Sequence, residues 1–163
     1  MQSVSILNPE GKFQDVEEWS TKFSDGEKFR GASVPMRMYY PKERKNSRPH
    51  YCGSGKPPDP EDYTKVVQFK SDMSKLSTLP EKMKSQMLQY YTDWLEYLFN
   101  NVKHISGNWP LHWKRRQAVI VVPNSWDYDQ RILLKDAIFE AGWVEKKRIS
   151  DSKGSAKRPF TAW

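Results

Sequence analysis

Residues 118–142 read AVIVVPNSWDYDQRILLKDAIFEAG, and how this stretch is read decides the fold. Residues 118–122 are an unbroken apolar run rich in valine, too short to make a helix. Apolarity that is continuous rather than alternating predicts a strand covered on both faces. Pro123 ends it, because proline has no N–H to give to a sheet ladder. Asp127 then stands three residues before Gln130, the spacing at which an N-cap side chain and its partner satisfy each other's backbone N–H groups. Ile132, Leu133, Ala137, Ile138 and Ala141 follow at helical intervals as the buried face, and Gly142 supplies the left-handed stop. A further strand over 143–149 would complete a right-handed βαβ unit at 117–149. The fold class expected is mixed α/β.

Upstream, a long helix is predicted from about 79 to 102. Thr78 and Glu81 have the spacing of a capping box, and Pro80 falls in the first turn, where a missing N–H does no harm. Met87, Tyr91, Trp94, Leu95, Leu98 and Val102 form one wide apolar face. Such a stripe reads as core rather than as a cofactor box. MRMYYP at 36–41 and YTKVVQF at 63–69 read as short strands. Between them, residues 46–62 collect Pro49, Pro57, Pro58 and Pro60 with Gly53 and Gly55, which predicts an exposed loop or linker. Residues 1–35 scatter Phe13, Trp19, Phe23 and Phe29 among glycines and charges, and no element is predicted there. The chain divides into a divergent N-terminal part (1–78), a central part (79–150) and a basic tail (151–163).

At 163 residues the chain suits one domain or a substantial piece of a larger one. Hydrophobic residues make up only 37%, but aromatics reach 13%, and large rings bury much apolar area per residue. The net charge of +7 favours polyanionic partners. One excess lies at 41–56, where Lys42, Arg44, Lys45, Arg48 and Lys56 face only Glu43; a second comprises Lys146, Lys147, Arg148, Lys153, Lys157 and Arg158. Neither run is interleaved with aromatics as base stacking requires, so solvated basic segments are the plainer reading and a nucleic-acid or acidic-protein interface the sharper one. Cys52 is the sole cysteine, which excludes an intramolecular disulfide and suits a reducing, cytoplasmic setting. No window approaches the roughly 20 apolar residues of a membrane span, so no membrane association is expected.

Catalytic constellations are lacking. His50, His104 and His112 are scattered, and His50 and Cys52 are too close together for a regular zinc site, so no metal is expected. In a Pro- and Gly-rich loop Cys52 is expected to be exposed and unreactive. Asp59, Glu61 and Asp62 read as solvated loop charges, and Trp109, His112 and Trp113 as packing or a small aromatic patch.

The pattern VVP-x-x-W-x-x-x-QR-x-x-x-KDA-x-x-x-AG, carried by Val121, Val122, Pro123, Trp126, Gln130, Arg131, Lys135, Asp136, Ala137, Ala141 and Gly142, resembles a strand–helix segment of the seventy-kilodalton heat-shock chaperones. Those proteins belong to the actin-like ATPase superfamily, and Trp126 makes the likeness strongest to their divergent branch. YYTDWLEYLFNNV, at 90–102, resembles the helix preceding that segment, so the likeness covers roughly 90–142 and weakens upstream. The resemblance implies a partial actin-like, ribonuclease-H-like ATPase lobe, with ATP and Mg as the family's ligands. It also implies that Pro123 and Arg131 relay nucleotide state between domains. The family's N-terminal phosphate hairpin (Asp-Leu/Phe-Gly-Thr-Thr) has no counterpart here, and ISDSKGSAKRPFTAW stands where a Glu-Pro-x-x-Ala segment would carry a carboxylate. A phosphoryl-transfer site without these parts has nothing to stabilise its transition state. A truncated lobe that binds no cofactor by itself and is not catalytic alone is therefore expected, with residual ATP binding only in a complete or complemented form, acting through a protein partner or a missing second lobe. Lys70 is a loose match to a phosphate-reaching lysine. A basic interaction module is the alternative.

Overall fold

A 25-residue helix, α2 (Glu81–Ile105), is the spine of the fold in the computed structural model, which describes residues 3–7, 12–24, 26–43, 47–67, 69–105 and 122–143. The expected stripe is buried from Met87 to Val102. A second stripe lies beside it: Asp93, Tyr97 and Asn101 are buried too, as is Thr92. Through its middle turns α2 is hidden on nearly every side, where the spacing had predicted one apolar face. Such a helix needs partners on two sides.

On one side stands an antiparallel sheet of order β6–β5–β7, built from β5 (Arg37–Pro41), β6 (Tyr51–Cys52) and β7 (Tyr63–Val67). Met38 pairs with Cys52 on one edge and with Val66 on the other. Met38, Cys52 and Val66 are buried, while Val67 next along β7 is 42% exposed, the alternation of a sheet with one covered face. The strand expected at 63–69 stops at Val67, and Phe69 begins a one-turn helix, α1 (Phe69–Asp72), with its ring fully buried. A 3₁₀ segment over Met73–Thr78 leads on to α2. The expected capping box is not formed: Thr78 Oγ1 donates to Lys75 O, and the Glu81 carboxylate takes Lys84 instead. The first bonds of α2 run from Met83 N and Lys84 N to Pro80 O, so Pro80 stands just before the helix rather than within its first turn.

Residues 1–35 hold two small antiparallel hairpins that the sequence did not announce. β1 (Ser5–Leu7) pairs with β2 (Phe13–Asp15), and β3 (Glu18–Ser20) with β4 (Lys28–Arg30). Trp19 in β3 is fully buried, and its indole N–H donates to Gly31 O at 2.8 Å. The segment after β3 joins the sheet edge: Cys52 N donates to Thr21 O, and Phe23 N to His50 O. Residues 47–57 are therefore not an exposed linker, while 58–62 are exposed as expected. Pro49, Cys52, Gly53, Gly55 and Pro57 are buried within 47–57.

α3 (Tyr128–Glu140) covers the other side of α2. Its capping box forms as the spacing predicts: Gln130 N donates to Asp127 Oδ1 at 3.0 Å, and Asp127 N to Gln130 Oε1 at 2.8 Å. The Gln130 amide also donates to Met73 O, pinning α3 to the 3₁₀ segment. Ala137 and Ala141 are buried as expected, but Ile132, Leu133 and Ile138 are only half-buried, and Leu134 and Gln130 fill the contact instead. At the far end Gly142 has φ +79°, with Gly142 N bonded to Phe139 O and Trp143 N to Ile138 O, the paired bonds of a Schellman stop. The Trp143 indole then donates to Leu95 O at 2.7 Å and its ring lies 5.4 Å from Phe99, fastening the end of α3 to α2. The strands expected at 118–122 and 143–149 lie outside the described residues except for Val122 and Trp143, neither of which is in a strand, so only the helix of the expected βαβ unit is described. What the chain displays is a mixed α/β fold in which every described strand pair is antiparallel.

Replacing Asp127 with alanine removes one half of the capping box, and unfolding free energy is expected to fall by about 1 kcal/mol. Asp127→Asn, which caps equally well, should stay within about 0.5 kcal/mol of the parent. Urea unfolding followed by far-ultraviolet circular dichroism separates the two.

Candidate functional site

The residues singled out for a relay, Pro123 and Arg131, meet at the turn that precedes α3. Trp126 N donates to Pro123 O at 3.1 Å, which closes a tight turn directly after Val122. Arg131, one turn into α3, sends its guanidinium Nε back to Trp126 O at 3.1 Å. Trp126 between them is buried, with its ring 6.4 Å from Tyr91 of α2 in an edge-on arrangement. Pro123, Trp126 and Arg131 thus form one connected unit: a φ-locked residue, a buried ring and a cation joined through the backbone. Arg131 itself is solvent-exposed, so its remaining guanidinium N–H donors stay open to a carboxylate or carbonyl of a partner.

Between α2 and the sheet lies a second polar constellation, centred on Asp93. Its side chain has no exposed surface, yet it accepts from Tyr40 Oη at 2.9 Å, from Gln89 Nε2 at 2.8 Å and from the Arg48 guanidinium. Arg48 also reaches Glu96 at 2.6 Å and lies 5.7 Å from the centroid of the Phe23 ring. Burial holds the Asp93 carboxyl above the ordinary carboxylate value, against the lowering effect of Tyr40, Arg48 and Gln89. Tyr40 is pushed far up by burial first and by the Asp93 charge second, so its hydroxyl remains a donor. One turn along, Tyr97 Oη donates to Ser20 O at 2.6 Å, and a turn further Ser20 N donates to Asn101 Oδ1 at 2.7 Å, fixing β3 to α2. Buried polar groups that are fully partnered in this way fix a unique arrangement of elements.

This constellation was missed in the sequence, though a signal exists. Tyr90, Asp93, Tyr97 and Asn101 recur at helical spacing beside the apolar stripe. A short polar side chain flanked by tyrosines on such a stripe marks a buried hydrogen-bonded face.

The other candidates separate. Cys52 is fully buried rather than exposed, and burial, reinforced by the Asp93 charge, pushes its thiol well above the usual value, which keeps it unreactive. His50 is exposed and contacts Tyr63 at 3.3 Å. Asp59, Glu61 and Asp62 are exposed on a 3₁₀ turn. Among the described residues no group of three His, Cys, Asp or Glu side chains is placed to hold a metal ion, and no helix is long and apolar enough to cross a membrane. In the first basic run, Arg48 is committed to Asp93 and Glu96, and Lys42 Nζ donates to Glu61 O. Trp109, His112, Trp113, Arg44, Lys45 and the lysines of 146–158 lie outside the described residues, as do the side chains of Lys70 and His104. No family model, curated protein or solved structure matches the chain.

Proposed function

We propose that the chain is a partial lobe of a heat-shock-chaperone-like ATPase domain, non-catalytic on its own, whose 122–142 segment couples to a partner chain or complementary lobe. The observation that carries this reading is the connected Pro123–Trp126–Arg131 unit, which fixes the turn rigidly while leaving guanidinium donors outward. The proline, the buried ring and the exposed cation are residues of the family resemblance, and the seat of the Trp126 ring against Tyr91 of α2 suits an element that transmits a displacement. Catalysis would require a phosphate cradle and water-positioning carboxylate, and the sequence has no stretch resembling either. Of the first basic run, Arg48 is committed to Asp93 and Glu96 within the chain, which takes that cation away from the alternative of a basic module.

With purified protein, Mg and ATP, phosphate release is expected at the buffer rate. Magnesium-dependent turnover that Arg131→Ala abolishes would overturn the non-catalytic reading. In parallel, RNA binding that weakens steeply with salt, as released counterions require, would favour the basic module instead.

A further inference from the structure

A cleft of about 570 Å³ opens between the end of β5, the start of β7 and the first turns of α2. Its size is that of a small-molecule site, commonly about 300–1,000 Å³. Cations enter it from two directions: Lys42 beyond β5, and Lys82 in the first turn of α2. Lys42 gives one N–H to Glu61 O and keeps the others, and Lys82 makes no ion pair among the described residues. None of the described residues lining the cleft is a carboxylate. On α2, Glu81, next to Lys82 in the chain, is held by Lys84, and Asp93 is bonded to Tyr40 and paired with Arg48.

Hydroxyl donors complete the set. Ser47 Oγ is buried at the cleft and has no hydrogen-bond partner, and such a group normally has one. Tyr90 Oη accepts from Gln86 Nε2 at 2.7 Å, which leaves its own proton to donate elsewhere. Burial raises Tyr90 above the ordinary phenol value, so that proton is retained at neutral pH. Acceptors are present as well. Gln86 and Gln89 spend their amide N–H groups on Tyr90 and Asp93, which leaves their carbonyl oxygens, and Ser85 donates to Glu81 O and leaves its lone pairs. The Tyr40 and Tyr90 rings, 5.5 Å apart, supply an apolar wall. Tyr40 is fixed there by its bond to Asp93, so the wall is preorganised by the buried constellation behind it.

From this arrangement we propose that the cleft binds a small phosphate monoester carried on a hydroxylated carbon skeleton, of the sugar-phosphate class. The phosphate lies between Lys42 and Lys82 with Ser47 and Tyr90 donating to it. The skeleton's hydroxyls meet Ser85 and the glutamine carbonyls, and its C–H face rests on the tyrosine wall. A charged donor paired with an anion is worth more than a neutral hydrogen bond, so the lysines carry the affinity and the acceptors select the polyol. The site shares no residue with the Pro123–Arg131 unit, so it stands or falls independently of the chaperone-like reading.

Calorimetric titration of the full chain tests this with ribose 5-phosphate, ribose and inorganic phosphate as probes. Ribose 5-phosphate is expected to bind, ribose not to bind, and inorganic phosphate to bind about tenfold more weakly for want of the skeleton's contacts. Lys82→Ala, an exposed change that leaves the core untouched, should weaken ribose 5-phosphate binding by about tenfold or more. Ser47→Ala should weaken it less, with an unchanged unfolding midpoint. Binding that ignores Lys82→Ala, equal binding of inorganic phosphate and ribose 5-phosphate, or no binding at all would each overturn the proposal.

Discussion

Asp93→Ala is expected to lower the unfolding free energy by about 3–5 kcal/mol, a large part of the whole for a domain of this size. The carboxylate has no exposed surface and gathers Tyr40, Gln89 and Arg48. Alanine leaves the largely buried Tyr40 hydroxyl without its acceptor and opens a void between α2 and β5, while the exposed Gln89 amide can turn to water. A stranded donor costs about 1–3 kcal/mol. Arg48 adds less to this loss, because half of its side chain surface faces solvent and Glu96 remains as a partner. Arg48→Met is therefore expected to cost less than Asp93→Ala, with the carboxylate still held by two donors. Urea unfolding at neutral pH checks both, and a loss under about 1 kcal/mol for Asp93→Ala would mean that water reaches the carboxylate.

The same carboxyl makes a pH-dependent contribution whose sign can be worked out. Burial raises its pKa in the folded chain above the unfolded value. A group of this kind takes up its proton more readily when folded. Its stabilising contribution is complete below the unfolded pKa and is lost as pH rises through the folded one. Asp93→Asn does not titrate. The stability gap between the parent and Asp93→Asn should accordingly widen as pH falls from about 7 through the carboxylate range. A gap that narrows on acidification would place the folded pKa below the unfolded one.

Legibility in the sequence followed the length of the element. α3 could be read end to end, because Asp127, Gln130 and Gly142 are local signals whose partners lie within a turn. The main stripe of α2 was equally plain. β1 to β4 were not, since strands of three residues are too short to show a period of two, and their pairing depends on partners the local pattern does not reveal. The second face of α2 was obscured for a different reason: Asp93, Thr92 and Asn101 read as solvent-facing until Tyr40, Glu140 and Ser20 are known to meet them. Residues 47–57 misled most. Their prolines and glycines do break regular structure, but they do so in a segment threaded between β5 and β3 rather than in solvent.

Gly55→Ala carries the second large effect, and the other glycines show why. A Cβ at Gly142 would meet nothing within 4 Å, so alanine there suffers only the strain of φ +79°, about 1–2 kcal/mol. At Gly53, φ is +61° and a Cβ would lie 2.7 Å from Val34 Cγ2 and 2.8 Å from Tyr97 Oη. Strain and overpacking add there, but both contacts are side-chain atoms. At Gly55 the contact is with backbone: a Cβ would stand 1.9 Å from Thr21 O and 3.0 Å from Cys52 O. Thr21 O is the acceptor for Cys52 N, and Cys52 O the acceptor for Gly55 N. The carbonyl cannot retreat without giving up the bond that ties the segment after β3 to β6. Overpacking with a side chain that can turn aside costs about 1–3 kcal/mol. Where the obstacle is a bonded carbonyl, the upper end or beyond is expected. Gly31→Ala, whose nearest contact is 3.5 Å, is the neutral control. The predicted order of urea midpoints is Gly31→Ala highest, then Gly142→Ala, Gly53→Ala and Gly55→Ala lowest. If Gly55→Ala ranked with Gly31→Ala, the join between the segment after β3 and the sheet edge would have to be looser than the bond from Cys52 N to Thr21 O requires.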